Sequence, residues 1–394
     1  MRMVSWGKRV VLLGIVCLVC VQFVHLFGAY CPEWLCRENT VTDYLDSNRK
    51  PWLDEEKLGK VARSQKAGLG KVGKTVMGRY RDNGISLWHA NGTLKKLDAE
   101  FSVDSSDVLV FLHIQKTGGT AFGKNMVKNL IDPSSGNRTC FCREGSKRCK
   151  CYRPSNKSKE WLFSRFSTGW KCGLHADWTE LTSCVDQVLD QAEGVPEKRR
   201  YFYMTLLRNP YRRYLSEFLH VQRGATWKNS RHWCGGRFAS RNEIHPCFEG
   251  DTWEGVTLDE FLQCPDNLAV NRQTRMLADL ELVGCYDRNY LNDLKRNDMI
   301  LASAKSNLLK MAFFGIVEQI DETQFLFEET FGLHFAEKLN GSYFARGENF
   351  TLTPEQRELF LERIALDVQL YEFAVKVFRQ RLETVKNWTF SVGQ

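Results

Sequence analysis

The chain has 394 residues, 43% of them hydrophobic and 26% charged, with a formal net charge of +8. That length suits two or three domains or one large α/β domain. No internal repeat or low-complexity tract is present, which excludes repeat architectures, and three of the positive charges (Arg2, Lys8, Arg9) merely flank an apolar N-terminal stretch.

That stretch, Val10 to Ala29, is apolar apart from Gln22 and His25. It is about long enough to cross a bilayer. The flanking charges keep the N-terminus cytosolic and direct the remainder to the lumen. With no small-residue cleavage site behind it, the stretch reads as a type II signal anchor, and a cleaved signal peptide is the alternative. The expected layout is a cytosolic tail over 1–9, an anchor over 10–30 and a stem over 31–100. A lumenal domain over 101–385 and a short tail over 386–394 complete it. Of the 14 cysteines, Cys17 and Cys20 fall in the anchor. An even remainder fits disulfides in an oxidising compartment. The sequons at Asn91, Asn137, Asn156, Asn340, Asn349 and Asn387 agree with a glycoprotein.

The stem region is polar, charged and without sustained periodicity. After it, Val108 to Leu112 is a continuous apolar run, the pattern of a strand buried on both faces of a parallel sheet. Lys116-Thr-Gly-Gly-Thr120 interrupts it, and Phe122, Met126, Val127 and Leu130 then recur at helical spacing. A strand, a Gly-rich turn and a helix hold phosphate by backbone N–H groups and helix potential, with Lys116 as a mobile charge. The pattern is not the Walker A loop, because the Lys precedes the glycines. A tight β–α turn with an incidental Lys is the other reading.

Cys140-Phe-Cys142 and Cys149-Lys-Cys151 lack zinc-finger spacing. In an antiparallel hairpin the pairs 140/151 and 142/149 fall opposite each other, so two stacked disulfides are expected. Nine Lys/Arg lie between Arg143 and Lys171 against two Glu. In a secretory lumen such density suits a sulfated glycan, not nucleic acid, although a solvated basic loop has the same composition. Trp161 to Trp178 follows, rich in aromatics and without a clean period, and it reads as a cleft wall or an aromatic cluster.

Tyr201 to Leu207 reads as a second buried strand, with Pro210 opening a helix after it. Arg208 at the strand's end and Ser216 on the helix are thus expected to face the first loop's crevice, where open α/β sheets bind ligands; an Arg capping nearby carbonyls is the other reading. Residues 227–265 read as a loop-rich insertion. Asn267 to Leu280 reads as a helix and Met311 to Val317 as a late strand. The chain ends in one long helix started by Thr353, Pro354 and Gln356. Its apolar stripe is Leu361, Ile364, Val368, Tyr371, Val375, Phe378 and Leu382.

Taken together, His113-Ile-Gln-Lys116-Thr-Gly-Gly-Thr120 resembles the 5′-phosphosulfate loop of membrane-bound carbohydrate sulfotransferases. Leu206-Leu-Arg208-Asn-Pro210 with Ser216 resembles their 3′-phosphate motif. Trp161–Trp170, Gly173–Trp178, Leu219–Trp227 and Asn271–Leu280 extend the likeness to the heparan sulfate 6-O-sulfotransferases, over roughly residues 105 to 380. The resemblance implies a P-loop-like sulfotransferase fold, α/β with a central parallel sheet flanked by helices. It also implies a Golgi enzyme that moves a sulfuryl group from 3′-phosphoadenylyl sulfate to the 6-hydroxyl of glucosamine in heparan sulfate. On that likeness the donor would lie on His113, Ile114, Gln115, Lys116, Thr117, Gly118, Gly119, Thr120, Ala121, Arg208 and Ser216. Asn340, Gly341, Ser342, Arg346 and Gly347 would close over it. The acceptor would meet Lys147, Arg148, Arg165, Trp170, His220 and Trp227, with His175 as general base; His220 is the rival base, and a core histidine hydrogen-bonded to a carbonyl is the other reading of His175. No metal is implied, and no Asp-x-Asp motif of metal-dependent Golgi glycosyltransferases is present. A heparin-binding adhesion protein and a lumenal kinase are the competing classes. The first needs only the basic face; the second needs a Mg²⁺ carboxylate near the loop.

Overall fold

The computed structural model describes Leu87, Trp88, residues 100–341 and residues 350–392. The expected anchor and nearly all of the expected stem lie outside these residues. Among the described residues no helix is long and apolar enough to cross a membrane.

A four-stranded parallel sheet forms the centre. Its strands are β1 (Asp107–Leu112), β2 (Leu162–Phe163), β3 (Arg200–Leu207) and β4 (Phe313–Ile316), in the order β2-β1-β3-β4. Every residue of β1 and of β4 is buried, as is all of β3 after Arg200, which explains their unbroken apolar runs. At the N-terminal edge Asp107 pairs directly with Arg200. The Asp107 carboxylate accepts from the Arg200 guanidinium at 2.6 and 2.7 Å and from Ser102 N–H at 2.9 Å. This buried carboxylate pins the register of the two central strands, and a one-residue slip would exchange their faces.

The helices that position the site are α1 (Gly119–Asn129), α2 (Trp178–Glu193), α3 (Pro210–Gln222) and α4 (Arg272–Leu277). Asp293–Lys310 (α5), Ile320–Phe331 (α6), Pro354–Arg363 (α7) and Ala365–Val392 (α8) follow. α2 and α3 start where the sequence supplies a cap. Asp177 with Glu180 forms a capping box on α2, and Asn209 caps α3 with Pro210 at its first position.

Two expected helices are corrected. The helix expected over Asn267 to Leu280 is only the six residues of α4. The single C-terminal helix is two helices, broken at Ile364. One exchange of polar groups explains both. Asn271 adopts a left-handed backbone (φ 44°), donates its N–H to Arg363 O at 3.0 Å, and accepts Leu366 N–H and Asp367 N–H on Oδ1. Asp367 in turn accepts from Thr274 N–H and Oγ1–H at 2.8 Å each and from Gln273 N–H at 3.2 Å. Each helix is therefore capped by the other's side chain. The expected stripe on the last helices is right at Ile364, Phe378 and Leu382, but Val368, Tyr371 and Val375 are only half-buried. Asp367 and Arg381 are buried instead, hidden from an apolar pattern by their polarity.

Trp88, from the region read as stem, lies in the core. Its indole N–H donates to Ala312 O at 2.7 Å, and the Arg381 guanidinium stacks on it at 4.9 Å. The Cys140–Cys151 and Cys142–Cys149 disulfides are both formed, across an antiparallel bridge between Phe141 and Lys150. Cys172–Cys184, Cys234–Cys285 and Cys247–Cys264 are also bonded.

Gly315 in β4 has no room for a side chain: a Cβ there would come 2.3 Å from Thr323 Cγ2 and 2.7 Å from Leu206 Cδ2. Gly315→Ala should destabilise the domain by about 1–3 kcal/mol through overpacking. Denaturant unfolding with an unchanged midpoint would contradict this packing.

Candidate functional site

β1 ends at Leu112, and residues 113 to 118 carry the chain to α1. Lys116 (φ 66°) and Gly118 (φ 75°) are left-handed, so the backbone curls around a concavity at the strand's carboxyl end. Gly118 occupies the N-cap position of α1 and supplies no side-chain cap, which leaves first-turn N–H groups available to an anion. Gly119 is fixed by His113: a Cβ would lie 2.4 Å from His113 Cδ2. Ile114, Gln115 and Thr117 are buried, with the Thr117 hydroxyl donating to Ile114 O at 3.0 Å. Thr120 is exposed and Ala121 half-buried at the loop's outer edge.

β3 ends beside β1, and its turn reaches the same concavity. The buried Arg208 donates from Nη1 to Lys116 O at 3.1 Å. Ser216 is half-buried on α3, one turn before His220 and on the same face. The sequence places Arg208 and the first loop together, and the structure does so.

A ring cluster closes one side. His175, left-handed at φ 53°, lies with its ring centroid 4.6 Å from Trp170, 4.9 Å from His113 and 5.1 Å from Trp227. His220 is 5.6 Å from Trp227. Arg165 stacks on Trp170 at 5.2 Å and donates to Thr120 Oγ1 at 3.4 Å, so it bridges the ring cluster and the loop. His175 Nδ1 is 2.9 Å from His113 O. Because a carbonyl only accepts, Nδ1 carries the proton, and Nε2 is left with its lone pair.

Burial holds the His175 pKa down to about 4, with the His113 carbonyl opposing and Arg272 and Arg165 adding to the shift. Burial also pushes His113 well below the usual range, and His220 down more modestly, with Lys116 contributing. The Lys116 ammonium is likewise lowered by burial, against the pull of Glu217. At neutral pH the three imidazoles are therefore neutral beside cations, an arrangement suited to binding an anion and accepting a proton.

Two supports escaped the sequence reading. Gln273 grips the Arg208 backbone from both sides: Arg208 N–H donates to Oε1 and Nε2–H donates to Arg208 O, each at 2.9 Å. Glu217 is buried among Arg213, Arg272 and Trp227. A buried Gln or Glu leaves no periodic mark. Glu217, one residue after Ser216, could have been flagged only by its place on the buried face of α3.

The disulfide hairpin docks against this wall. Cys149 N–H donates to Phe166 O at 2.8 Å, and Arg148 Nη1 reaches Thr168 O at 3.4 Å, beside Trp170. Lys147 is exposed at the hairpin tip. On the hairpin's other side a cleft of about 1430 Å³ is lined by Lys128, Arg138, Arg143, Lys150 and Lys157, and it does not include His113, Lys116 or Arg208. Asn340 is exposed, and Gly341 lies near Ile320 at the head of α6. Ser342, Arg346 and Gly347 lie outside the described residues. Among the described residues no group of three metal-ligating side chains occurs.

The profile of the family described as "Sulfotransferase family" matches residues 99–374. The chain is 51% identical over 289 residues to heparan-sulfate 6-O-sulfotransferase 3-B of Danio rerio, covering 73% of this chain and 68% of that protein. It is 51% identical over 285 residues to heparan-sulfate 6-O-sulfotransferase 1 of Homo sapiens, covering 72% and 68%. It is 50% identical over 301 residues to heparan-sulfate 6-O-sulfotransferase 3 of Mus musculus, covering 75% of this chain and 63% of that relative.

Gln273→Leu should remove both hydrogen bonds on the Arg208 backbone, costing about 1–3 kcal/mol for each. Unfolding midpoint and affinity for adenosine 3′,5′-bisphosphate should fall together. Retention of both would show that the clamp is dispensable.

Proposed function

Since the chain belongs to the sulfotransferase family, we propose that it moves a sulfuryl group from 3′-phosphoadenylyl sulfate to the 6-hydroxyl of glucosamine in heparan sulfate. The observation that carries this reading is the 2.9 Å contact between His175 Nδ1 and the carbonyl of His113. It joins a neutral base directly to the residue that opens the Lys116 loop. The relatives' names supply the acceptor class; the basic hairpin and the aromatic wall are what a sulfated sugar chain needs.

The anion-binding parts fit the donor. The uncapped start of α1 and the Lys116 ammonium suit the 5′-phosphosulfate, and Arg208 with Ser216 suits the 3′-phosphate. In the reaction the 6-oxygen forms a bond to sulfur as the bond between sulfur and the donor's phosphate oxygen breaks. His175 Nε2 takes the hydroxyl proton, and Lys116 with the loop amides neutralises the departing phosphate. In-line positioning does the rest, as in phosphoryl transfer. Trp170, His220, Trp227, Arg165, Lys147 and Arg148 would hold the acceptor, and the loop from Asn340 would cover the nucleotide. The proposed setting is the Golgi membrane, single-pass type II, with residues 10–30 as anchor and the catalytic domain lumenal. Five disulfides among the described residues support an oxidising compartment.

The deciding experiment incubates the detergent-solubilised chain with heparan sulfate and ³⁵S-labelled donor, then analyses disaccharides. Label is expected on the glucosamine 6-oxygen. Label at another position, or none, would overturn the proposal. In the same assay Lys116→Ala should lower turnover by about 10²–10³ at saturating donor. Near-normal turnover would remove Lys116 from the mechanism.

The pH profile gives a separate check. His175 acts only when neutral, so activity is lost as pH falls through its pKa of about 4. The acid limb of kcat/KM should therefore lie below the ~6.5 of an ordinary histidine. It should be absent from the residual activity of His175→Ala, and a limb that persists there belongs to another group.

A further inference from the structure

Resting on the reading that Trp227, His175 and His220 face the acceptor, we propose that Glu217 is a positioning residue for acceptor binding. Its carboxylate holds the Trp227 indole against the two histidines. Glu217 Oε1 accepts Trp227 Nε1–H at 3.0 Å and Arg272 Nη2–H at 2.6 Å. Oε2 accepts from Arg272 Nε–H at 3.1 Å and from Arg213 Nη1. Four donors thus saturate two oxygens on a side chain 1% exposed. Burial alone would raise this carboxyl, yet Arg272 and Arg213 outweigh it and hold the pKa at about 2. The group is ionised at every working pH.

An ion pair that served only the fold would need Arg213 and Arg272 alone. The bond to Trp227 is different in kind. Trp227 is only half-buried, in the stretch after α3, where no regular element fixes its ring. Its indole N–H is the polar handle, and the carboxylate is the partner that sets the ring's rotation. The ring then meets His175 edge-on at 5.1 Å and His220 at 5.6 Å. Glu217 therefore links the helix that carries Ser216 to the wall where a sugar would stack. The same charge also pulls on Lys116, opposing the burial that lowers its pKa.

The test uses Glu217→Asp, which keeps the charge but retracts the carboxylate by one methylene. Trp227→Phe keeps a ring but removes the N–H. The readouts are acceptor kcat/KM, affinity for adenosine 3′,5′-bisphosphate, and binding of a heparin-derived hexasaccharide. Each variant should lower acceptor kcat/KM by about tenfold or more, the scale of a hydrogen bond to a charged group. Nucleotide affinity should stay within about twofold, and the double variant should be no worse than the weaker single one, because both remove one contact. Wild-type kcat/KM in Trp227→Phe would overturn the proposal. So would fully multiplicative losses, or nucleotide affinity falling in step with turnover. If Glu217→Asp does not fold, Trp227→Phe decides alone. If the wild type binds the hexasaccharide but transfers nothing, the functional reading fails, while the hexasaccharide affinity of Trp227→Phe still decides this one.

Discussion

Two adjacent parallel strands that end side by side constrain the rest of this molecule. β1 pairs with β3 along its full length, from Asp107 opposite Arg200 to Leu112 opposite Thr205. Their register is set at one end by a buried carboxylate and a guanidinium, and it is used at the other end. There the Lys116 loop and the Arg208 turn open into one concavity, and Arg208 hydrogen-bonds the Lys116 carbonyl directly. Neither turn alone offers more than an ordinary helix start. Brought together, they offer two cations and an uncapped helix N-terminus within one crevice.

That crevice is built under backbone strain at defined points. Lys116 and His175 are both non-glycine residues in left-handed conformations, each a costly choice for a residue with a Cβ. They are also the two residues for which proton transfer and charge neutralisation are proposed. The surrounding contacts hold them there: Arg208 on the Lys116 carbonyl, and the His113 carbonyl with two tryptophan rings around His175. Strain located this way favours one rotamer direction over many, which is what a preorganised site requires.

The parts of this arrangement legible in the sequence are those with a period or a turn. The apolar runs of β1 and β3 marked buried strands, the glycines at 118 and 119 marked the loop, and Pro210 marked the start of α3. The opposed spacing of the four hairpin cysteines gave both disulfides. What stayed hidden is polar, buried and contributed from far along the chain. Asn271 splits a helix 93 residues away by hydrogen-bonding across to Arg363, Leu366 and Asp367, and no local propensity encodes that exchange. Gln273 and Glu217 are buried polar residues on helices, where polarity gives no periodic mark. The last helix reaches further than its apolar stripe: through Asp367 it caps α4, and α4 carries the clamp on Arg208. Long-range polar contacts of this kind are specified by the finished fold, not by the segment that holds them.

The same polar layer explains how cations can be concentrated beside a binding crevice without undoing the fold. Arg213 and Arg272 are fully buried, and such charges are stable only with partners. Glu217 meets both, and Asp367 lies 3.8 Å from Arg213. Two guanidiniums are therefore balanced by two carboxylates beneath the site. The buried guanidiniums thus face carboxylates, and Lys116, Arg208 and the helix N-terminus face the crevice. An anionic ligand then meets a positive rim on a balanced base. On the proposed reading, the donor's phosphates complete the neutralisation of that rim.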